Sequence, residues 1–127
     1  MSKYVMKIKK YGKIYIKGVI IMLKIVLCCS AAMSTSLLVE KIKKAASKIN
    51  YPVEVYATGL TEIEKVAYNA DIIIMAPQVQ YAKKQIRKQF SPIPVIDVSI
   101  RDYGLMNGQN VFKEVLQTLN KDNKKTT

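Results

Sequence analysis

Histidine and tryptophan are absent from this 127-residue chain, and cysteine occurs only twice. Without histidine the chain has no imidazole for a nucleophilic triad, for general acid–base catalysis or for carrying a phosphoryl group. The two cysteines, Cys28 and Cys29, are adjacent, and the geometry of a disulfide disfavours a bridge between neighbours. Two adjacent thiols without other spaced ligands also do not form a zinc site. We therefore expect no disulfide, no metal and no cofactor, as is typical of a protein from the reducing cytoplasm.

Acidic residues are absent from the start of the chain. Residues 1–21 contain six lysines and no Asp or Glu, although the whole chain has 21 basic and 9 acidic residues and a net charge of +12. The apolar run that follows is interrupted by Lys24, is too short to span a bilayer and lacks a small-residue cleavage site, which argues against a signal peptide. We interpret residues 1–21 as a basic extension that is either poorly ordered or not native. Residues 11–21 could still add an extended segment.

The remaining basic residues do not indicate nucleic-acid binding. From Met22 onward they are scattered along predicted helix faces and are partly balanced by all nine acids. This part of the sequence lacks the Arg-rich surface with interleaved aromatic residues that many nucleic-acid-binding domains show. We therefore expect no nucleic acid among the partners of this protein.

Strand-like apolar runs alternate with amphipathic helical patterns from Met22 onward. The predicted strands cover residues 23–28, 53–57, 70–76 and 94–98. The predicted helices cover residues 37–49, 61–68, 79–90 and 111–119, with a Thr61-x-x-Glu64 capping box starting the second. A loop is expected at residues 103–108 and a polar tail at residues 121–127. This alternation predicts one α/β domain, residues 22–120, with a four-stranded parallel sheet and helices on both faces.

Cys29 directly follows the first predicted strand. Ligands of parallel sheets bind at the carboxyl ends of the strands, and a short segment of small and hydroxyl residues separates Cys29 from the helix predicted to begin at Leu37. This loop consists of Ser30, Ala31, Ala32, Met33, Ser34, Thr35 and Ser36. Its N–H groups and the helix N-terminus can hold an anion, and such surroundings favour the nucleophilic thiolate. We therefore predict that Cys29 accepts a phosphoryl group, while Cys28 occupies an apolar strand position in the core.

Other side chains near this edge have two interpretations each. The hydroxyl groups of the loop either cap the helix or contribute to anion binding, since both roles use the same N–H groups. Gln78 and Tyr81 follow the third strand, and they either contact a partner or phosphate or are ordinary surface residues. For Asp97 and Asp102, capping and turn roles are favoured over general acid catalysis.

The run from Cys29 to Leu38 closely resembles a known phosphocysteine loop. It is the loop of the lactose/cellobiose-type enzyme IIB of the bacterial phosphoenolpyruvate-dependent sugar phosphotransferase system. Further similarities follow in the same order: Asn69-Ala70-Asp71, Ala76-Pro77-Gln78-Val79, Tyr81, Ile96-Asp97, Tyr103-Gly104 and Asn107-Gly108. Together they cover residues 22–119. One departure is Ala32, which stands where the family usually has glycine, and its methyl group could disfavour a positive φ and slow the transfer.

The resemblance implies a mechanism and a set of partners. A IIA protein with a phosphohistidine would donate its phosphoryl group to Cys29, and the phosphocysteine would pass it to a sugar held by the membrane component IIC. The resemblance also implies that the sugar is a beta-linked disaccharide. It implies a fold similar to that of low-molecular-weight tyrosine phosphatases, and a cytoplasmic protein that works transiently at the inner face of the cell membrane.

Two alternatives to a carrier stay open. A low-molecular-weight phosphatase shares the architecture but needs an arginine six residues after the cysteine, where it binds the phosphoryl oxygens in a bidentate manner. Thr35 occupies that position, and residues 22–80 contain no arginine, which favours a carrier that keeps its phosphoryl group from water. The other alternative is a non-catalytic regulatory relative, which only Ala32 suggests. A thioredoxin-like redox role is not favoured, because Cys28 and Cys29 lack the two intervening residues.

Overall fold

Six strands and five α-helices form the described part of the protein. The computed structural model describes residues 15–16, 19–20, 22–30 and 32–126, with side chains for residues 22–30 and 36–120. The strands are Tyr15–Ile16 (β1), Val19–Ile20 (β2), Leu23–Cys28 (β3), Val53–Thr58 (β4), Ile72–Met75 (β5) and Val95–Asp97 (β6). The α-helices are Ala32–Lys48 (α1), Ile63–Ala67 (α2), Lys83–Phe90 (α3), Ile100–Gly104 (α4) and Gly108–Thr126 (α5). A 3₁₀ helix, Pro77–Ala82, precedes α3.

The centre of the domain is a four-stranded sheet in the order β4-β3-β5-β6, and all its pairings are parallel. β3 lies inside the sheet, so its last residue, Cys28, is level with Thr58 of β4 on one side and Met75 of β5 on the other. All of β5 is buried, and so is all of β3 except Lys24. Burial of consecutive residues means that both faces of the sheet are covered. The predicted α/β domain with a four-stranded parallel sheet is therefore confirmed.

Helices α1 and α5 pack against each other, and α1 also packs on β4. Leu38 and Ile42 of α1 are fully buried at spacing i, i+4, as expected for one apolar helix face. The amino end of α5 comes so close to α1 that a Cβ atom at Gly108 would lie 2.4 Å from the carbonyl carbon of Lys41. Glycine is required at this contact, which allows the two helices to approach each other closely. Helix α2 contacts β3 and β4, and α3 contacts β6.

Two local predictions are wrong. Thr61 does not start a capping box, because α2 begins at Ile63 with Glu62 at its N-cap and without a hydrogen bond from the capping side chain. Residues 103–108 are not simply a loop, because α4 continues to Gly104. Its N-cap is Ser99, whose hydroxyl oxygen accepts a hydrogen bond from the Asp102 N–H at 3.0 Å. The Ser99 cap stabilises a helix at this point, although Gly104 had favoured a loop.

Helix α5 extends to Thr126, so residues 121–126 of the expected polar tail continue the helix. At the other end, only residues 15–16 and 19–20 of the expected extension 1–21 are described. They form an antiparallel pair, β1 with β2, which is separate from the four-stranded sheet. The rest of the extension, which the sequence analysis interprets as poorly ordered or not native, lies outside the described residues. Within the described residues, no helix is both long and apolar enough to cross a membrane.

Candidate functional site

The candidate site lies at the carboxyl edge of the parallel sheet. Cys29 follows the end of β3, and the neighbouring strands β4 and β5 end beside it at Thr58 and Met75. In chain order the first strand of this sheet therefore lies between the second and the third. The connection after β3 leads to β4 on one side, and the connection after β5 leads to β6 on the other. The carboxyl ends of β3 and β5 therefore form the topological switch point, where open α/β sheets bind their ligands.

Cys29 is held at this edge by its own backbone. Its N–H group donates a hydrogen bond to the carbonyl oxygen of Thr58 at 2.9 Å, which continues the pairing of β3 with β4. Its thiol donates to the same oxygen, with an Sγ–O distance of 3.7 Å. The residue is 0% exposed. The sulfur is therefore well fixed, but it does not reach the surface in this conformation.

Cys28 is the neighbour of Cys29 and belongs to the strand itself. It is the last residue of β3 and is fully buried in the core, as the apolar pattern predicts. Burial, and to a smaller extent the nearby Cys29, raise the pKa of the Cys28 thiol from 9.0 to about 11. Cys28 is therefore a neutral thiol at physiological pH, and a neutral thiol is a poor nucleophile.

The segment after Cys29 is more helical than the sequence predicts. A loop is expected through Ser36, but α1 begins at Ala32, so residues 32–36 form its first turns. Alanine and methionine are good helix formers, whereas the prediction gave more weight to the hydroxyl residues Ser34, Thr35 and Ser36. Ser30 and Ser36 are exposed, and Ala31 lies outside the described residues. The proposed anion site is thus a short turn plus a helix N-terminus, where the first N–H groups lack helical acceptors.

Gln78 and Tyr81 lie on the 3₁₀ helix that directly follows β5. Both are exposed, and Tyr81 is 81% exposed, which is unusual for an aromatic side chain. Between them Gln80 donates from Nε2 to the carbonyl oxygen of Val98 at 3.0 Å, which ties this helix to the chain after β6. The two exposed side chains are therefore presented from a fixed element at the carboxyl edge.

Asp97 and Asp102 have structural partners. Asp97 forms a salt bridge with Lys83, with 2.9 Å between Oδ2 and Nζ. Asp102 is buried and accepts a hydrogen bond from the Asn110 side-chain amide at 2.6 Å. These contacts are structural, but they are not the capping and turn roles that the sequence favours, because Asp97 ends β6 and Asp102 lies within α4, whose N-cap is Ser99. The described residues also contain no group of three or more side chains that could bind a metal ion.

Sequence reasoning missed Thr58 and Gly59. Thr58 is buried and provides the acceptor for Cys29, and a Cβ atom at Gly59 would be 3.7 Å from the Cys29 carbonyl oxygen. The predicted strand order could have identified these two residues. Since the second predicted strand neighbours the first, the Thr-Gly pair at its carboxyl end had to lie beside Cys29.

A family model described as "PTS system, Lactose/Cellobiose specific IIB subunit" matches residues 24–114. The chain is 32% identical over 100 residues to the oligo-beta-mannoside-specific EIIB component of Bacillus subtilis strain 168, covering 77% of this chain and 97% of the relative. It is 31% identical over 103 residues to the galactose-specific EIIB component of Lactococcus lactis subsp. cremoris, covering 76% of this chain and 95% of the relative.

Two solved structures have the same fold. The solution structure of a cellobiose-specific IIB component from Borrelia burgdorferi superposes with a TM-score of 0.66 at 33% identity, covering 79% of this chain and 94% of that one. The lactose-specific IIB domain from Streptococcus pneumoniae gives a TM-score of 0.67 at 18% identity, covering 76% of this chain and 97% of that one. The second similarity concerns the fold alone.

Proposed function

The chain belongs to the lactose/cellobiose-specific IIB family of the sugar phosphotransferase system, and we propose that it carries a phosphoryl group on Cys29. In this proposal the group comes from a phosphohistidine of a IIA protein and goes to a sugar bound by the membrane component IIC. The observation that carries the proposal is the position of Cys29, which directly follows β3 and lies three residues before Ala32, where α1 begins. A nucleophile beside a helix N-terminus can form a bond to a dianionic group and have its charge stabilised.

The first step is a transfer from nitrogen to sulfur. The Cys29 sulfur attacks phosphorus, the bond between phosphorus and the donor imidazole breaks, and the thiol proton ends on the imidazole nitrogen. In the second step a sugar hydroxyl oxygen attacks phosphorus, the bond between sulfur and phosphorus breaks, and the hydroxyl proton restores the thiol. Both steps conserve protons and electrons, so they need no cofactor.

The turn after Cys29 and the first turns of α1 would bind the phosphoryl oxygens. We assign this role to Ser30, Ala31, Ala32, Met33, Ser34, Thr35 and Ser36. Backbone N–H groups at a helix start are oriented donors, and the helix dipole adds partial positive charge. Gln78 and Tyr81 are proposed to contact the partner protein or the phosphoryl group, because they are exposed on the neighbouring 3₁₀ helix.

A carrier fits the site better than a phosphatase does. Hydrolysis would need a charge that stabilises the transferring group in water, and an arginine supplies it when it follows the cysteine by six residues. Thr35 stands at that position within α1. Without the guanidinium the phosphocysteine should be long-lived until an acceptor hydroxyl arrives.

The carrier domain is proposed to be residues 22–120, with residues 1–21 as a dispensable basic extension and residues 121–127 as a polar end. Support comes from the family match to residues 24–114 and from relatives that are almost completely covered by about 100 residues of this chain. The named relatives are specific for different sugars, and we propose a beta-linked disaccharide as the sugar here. The protein would work in the cytoplasm and visit the inner face of the membrane transiently, when it meets IIC.

The test is phosphorylation of the purified full-length chain by a matching phosphorylated IIA protein. Mass spectrometry of the products under conditions that preserve phosphocysteine should locate one phosphoryl group on Cys29. A second incubation with membranes containing IIC and the sugar should remove it and give sugar phosphate. Phosphorylation at another residue would overturn the assignment, and rapid release of inorganic phosphate without IIC would favour the phosphatase alternative.

A further inference from the structure

Helix α3 carries positive charge that no neighbouring part of the sequence balances. Between strands β5 and β6 the chain has four basic side chains, all of them in α3, and no Asp or Glu. Ile86 and Phe90 are buried, whereas Lys84 and Lys88 lie on the opposite side of the helix and are exposed. Arg87 is exposed beside them. We call these three cations, Lys84, Arg87 and Lys88, the basic α3 face.

Contacts within the protein do not account for these charges. Among the described residues, Lys83 is the only cation of α3 in a salt bridge, with 2.9 Å between its Nζ and Oδ2 of Asp97. Arg87 donates from Nη2 to a backbone carbonyl oxygen at 3.4 Å. Lys84 lies in the first turn of α3, where the helix dipole disfavours a cation, and it repels Lys88 at spacing i, i+4. An anionic surface bound to this face would remove both unfavourable interactions.

The lysines of α1 are placed differently. Lys48 lies in the last turn of α1, where the helix dipole favours a cation, and Lys43 pairs with Glu40 at 3.7 Å. The two helices also lie on opposite faces of the sheet. The connections from β3 to β4 and from β5 to β6 run in opposite directions, and right-handed crossovers then place α1 and α3 on opposite faces. The basic α3 face is therefore a surface of its own.

The basic α3 face begins at the carboxyl edge of the sheet, beside α4. Gln80, which precedes α3, donates from Nε2 to the carbonyl oxygen of Val98 at 3.0 Å, and the salt bridge between Lys83 and Asp97 joins the start of α3 to the end of β6. Ile100, the first residue of α4, follows Asp97 by three residues and is 79% exposed. An exposed aliphatic side chain near clustered cations is typical of surfaces that bind anionic lipid headgroups.

Lipid headgroups fit the basic α3 face better than the loops of a membrane protein do. Cytoplasmic loops of membrane proteins carry an excess of Lys and Arg, so they would repel this face. The cytoplasmic leaflet around such loops is anionic and attracts clustered cations. The chemistry of the face therefore favours the lipid surface as its partner.

We propose that the basic α3 face binds the anionic phospholipid surface of the inner leaflet and so brings the carboxyl edge of the sheet to the membrane. The proposal deepens the proposed function and rests on it for its purpose, since the carrier has to meet IIC at the membrane. The binding itself needs no chemistry at Cys29. It is a reversible electrostatic contact, which weakens as salt screens the charges.

Sedimentation of the full-length protein with vesicles tests this proposal. One set of vesicles contains equal parts of phosphatidylglycerol and phosphatidylcholine, and a neutral set contains phosphatidylcholine alone. The wild type should bind the anionic vesicles only, and less tightly as salt is added. Lys84→Gln combined with Lys88→Gln should weaken binding about 25-fold, since each cation near an anionic bilayer contributes roughly fivefold. Lys84→Arg combined with Lys88→Arg keeps both charges and should bind like the wild type.

Lys44→Gln combined with Lys48→Gln is the matched control. These two exposed lysines are also four residues apart, and the variant has the same net charge, but it changes α1 on the other face of the sheet. Binding should fall no more than about twofold, because charges more than about 10 Å from the lipid surface are largely screened at about 0.1 M salt. Circular dichroism checks that each variant is folded.

Several outcomes would overturn the proposal. Equal losses in the two glutamine variants would mean that net charge alone determines binding. If neither variant loses affinity, the lysines of residues 1–21 or another surface would be the binding element. A wild type that does not bind the anionic vesicles would exclude the lipid surface as the partner.

The IIA phosphorylation assay distinguishes a protein partner from the lipid. A higher KM for phosphorylated IIA in Lys84→Gln combined with Lys88→Gln, together with unchanged vesicle binding, would assign the basic α3 face to the donor protein and overturn the lipid proposal. Failure of the proposed function has a different signature. Cys29 would then stay unphosphorylated, whereas vesicle binding would still depend on Lys84 and Lys88.

Discussion

The carbonyl oxygen of Cys28 accepts a hydrogen bond from the N–H group of Ala76 at 2.8 Å. This bond extends the pairing of β3 with β5 beyond the last strand residue and fixes the chain just before the 3₁₀ helix. The helix that bears Gln78 and Tyr81 is thereby attached to the strand that delivers Cys29. A partner protein that approaches the nucleophile along this edge of the sheet should therefore meet the exposed side chains of that helix.

Replacement of each cysteine should separate their roles. Cys29→Ser should abolish phosphorylation by IIA and keep the fold, because a hydroxyl has nearly the same shape and is far less nucleophilic at neutral pH. Cys28→Ser should still accept the phosphoryl group and lose about 1–3 kcal/mol of stability, the cost of a poorly paired hydroxyl in the core. Mass spectrometry after incubation with phosphorylated IIA, together with urea unfolding, measures both effects. Phosphorylation of Cys29→Ser, or an inactive Cys28→Ser variant that is folded, would contradict the assignment.

Tyr81→Ala should weaken the encounter with IIA and leave the fold unchanged. The side chain is 81% exposed, so its removal costs little stability, whereas an aromatic residue at an interface typically contributes more than about 1 kcal/mol. The KM for phosphorylated IIA should rise about fivefold or more at similar kcat. Tyr68→Ala is the matched control, because Tyr68 is also exposed but lies before the amino end of β5, at the opposite edge of the sheet. Equal effects of the two substitutions would argue against a partner contact at Tyr81.

A chain that begins at Met22 should fold and accept a phosphoryl group like the full-length protein. The four strands of the parallel sheet and the helices that cover it all follow this residue, and the family match begins at residue 24. Circular dichroism melting and the IIA phosphorylation assay test the truncated protein. A non-cooperative melt would mean that residues 1–21 contribute to the core.

The sequence predicts the sheet well because its strands are buried on both faces. The continuous apolar runs around Ile25 and Ile73 have few alternatives to a central parallel strand, and they place Cys29 at the functional edge. The start of α1 could not be predicted, because Ser34 and Thr35 favour a loop or cap locally while Ala32 and Met33 favour a helix. The contact with Thr58 depends on a backbone carbonyl, and every residue type has one. Residue identity therefore gives no signal for it, and only the topology does.

Stability should fall in mildly alkaline solution because of Cys28. Its pKa is raised from 9.0 to about 11 by burial and by Cys29, so between these pH values the unfolded chain has lost this proton while the folded protein keeps it. The contribution of the Cys28 thiol to the free energy of unfolding is therefore fully present below pH 9. It declines as the pH rises toward 11, by about 1–3 kcal/mol in total. Urea unfolding at several pH values should show a smaller decline for Cys28→Ala than for the wild type. Parallel declines in the two proteins would show that other groups cause the effect.

Ala32→Gly tests whether the first turn of α1 binds the phosphoryl group. Ala32 is the first residue of α1, and alanine favours the negative φ of a helical backbone. Glycine should cost about 0.5–1 kcal/mol of stability, because the unfolded chain gains conformational freedom. The transfer rate should stay unchanged if the N–H groups already point at the phosphoryl oxygens, or rise if the methyl group crowds them. Stopped-flow transfer from phosphorylated IIA gives the rate, and circular dichroism gives the stability. A large fall in rate with the helix content preserved would mean that the methyl group itself is needed, and the helix start would then not be the phosphoryl-binding element.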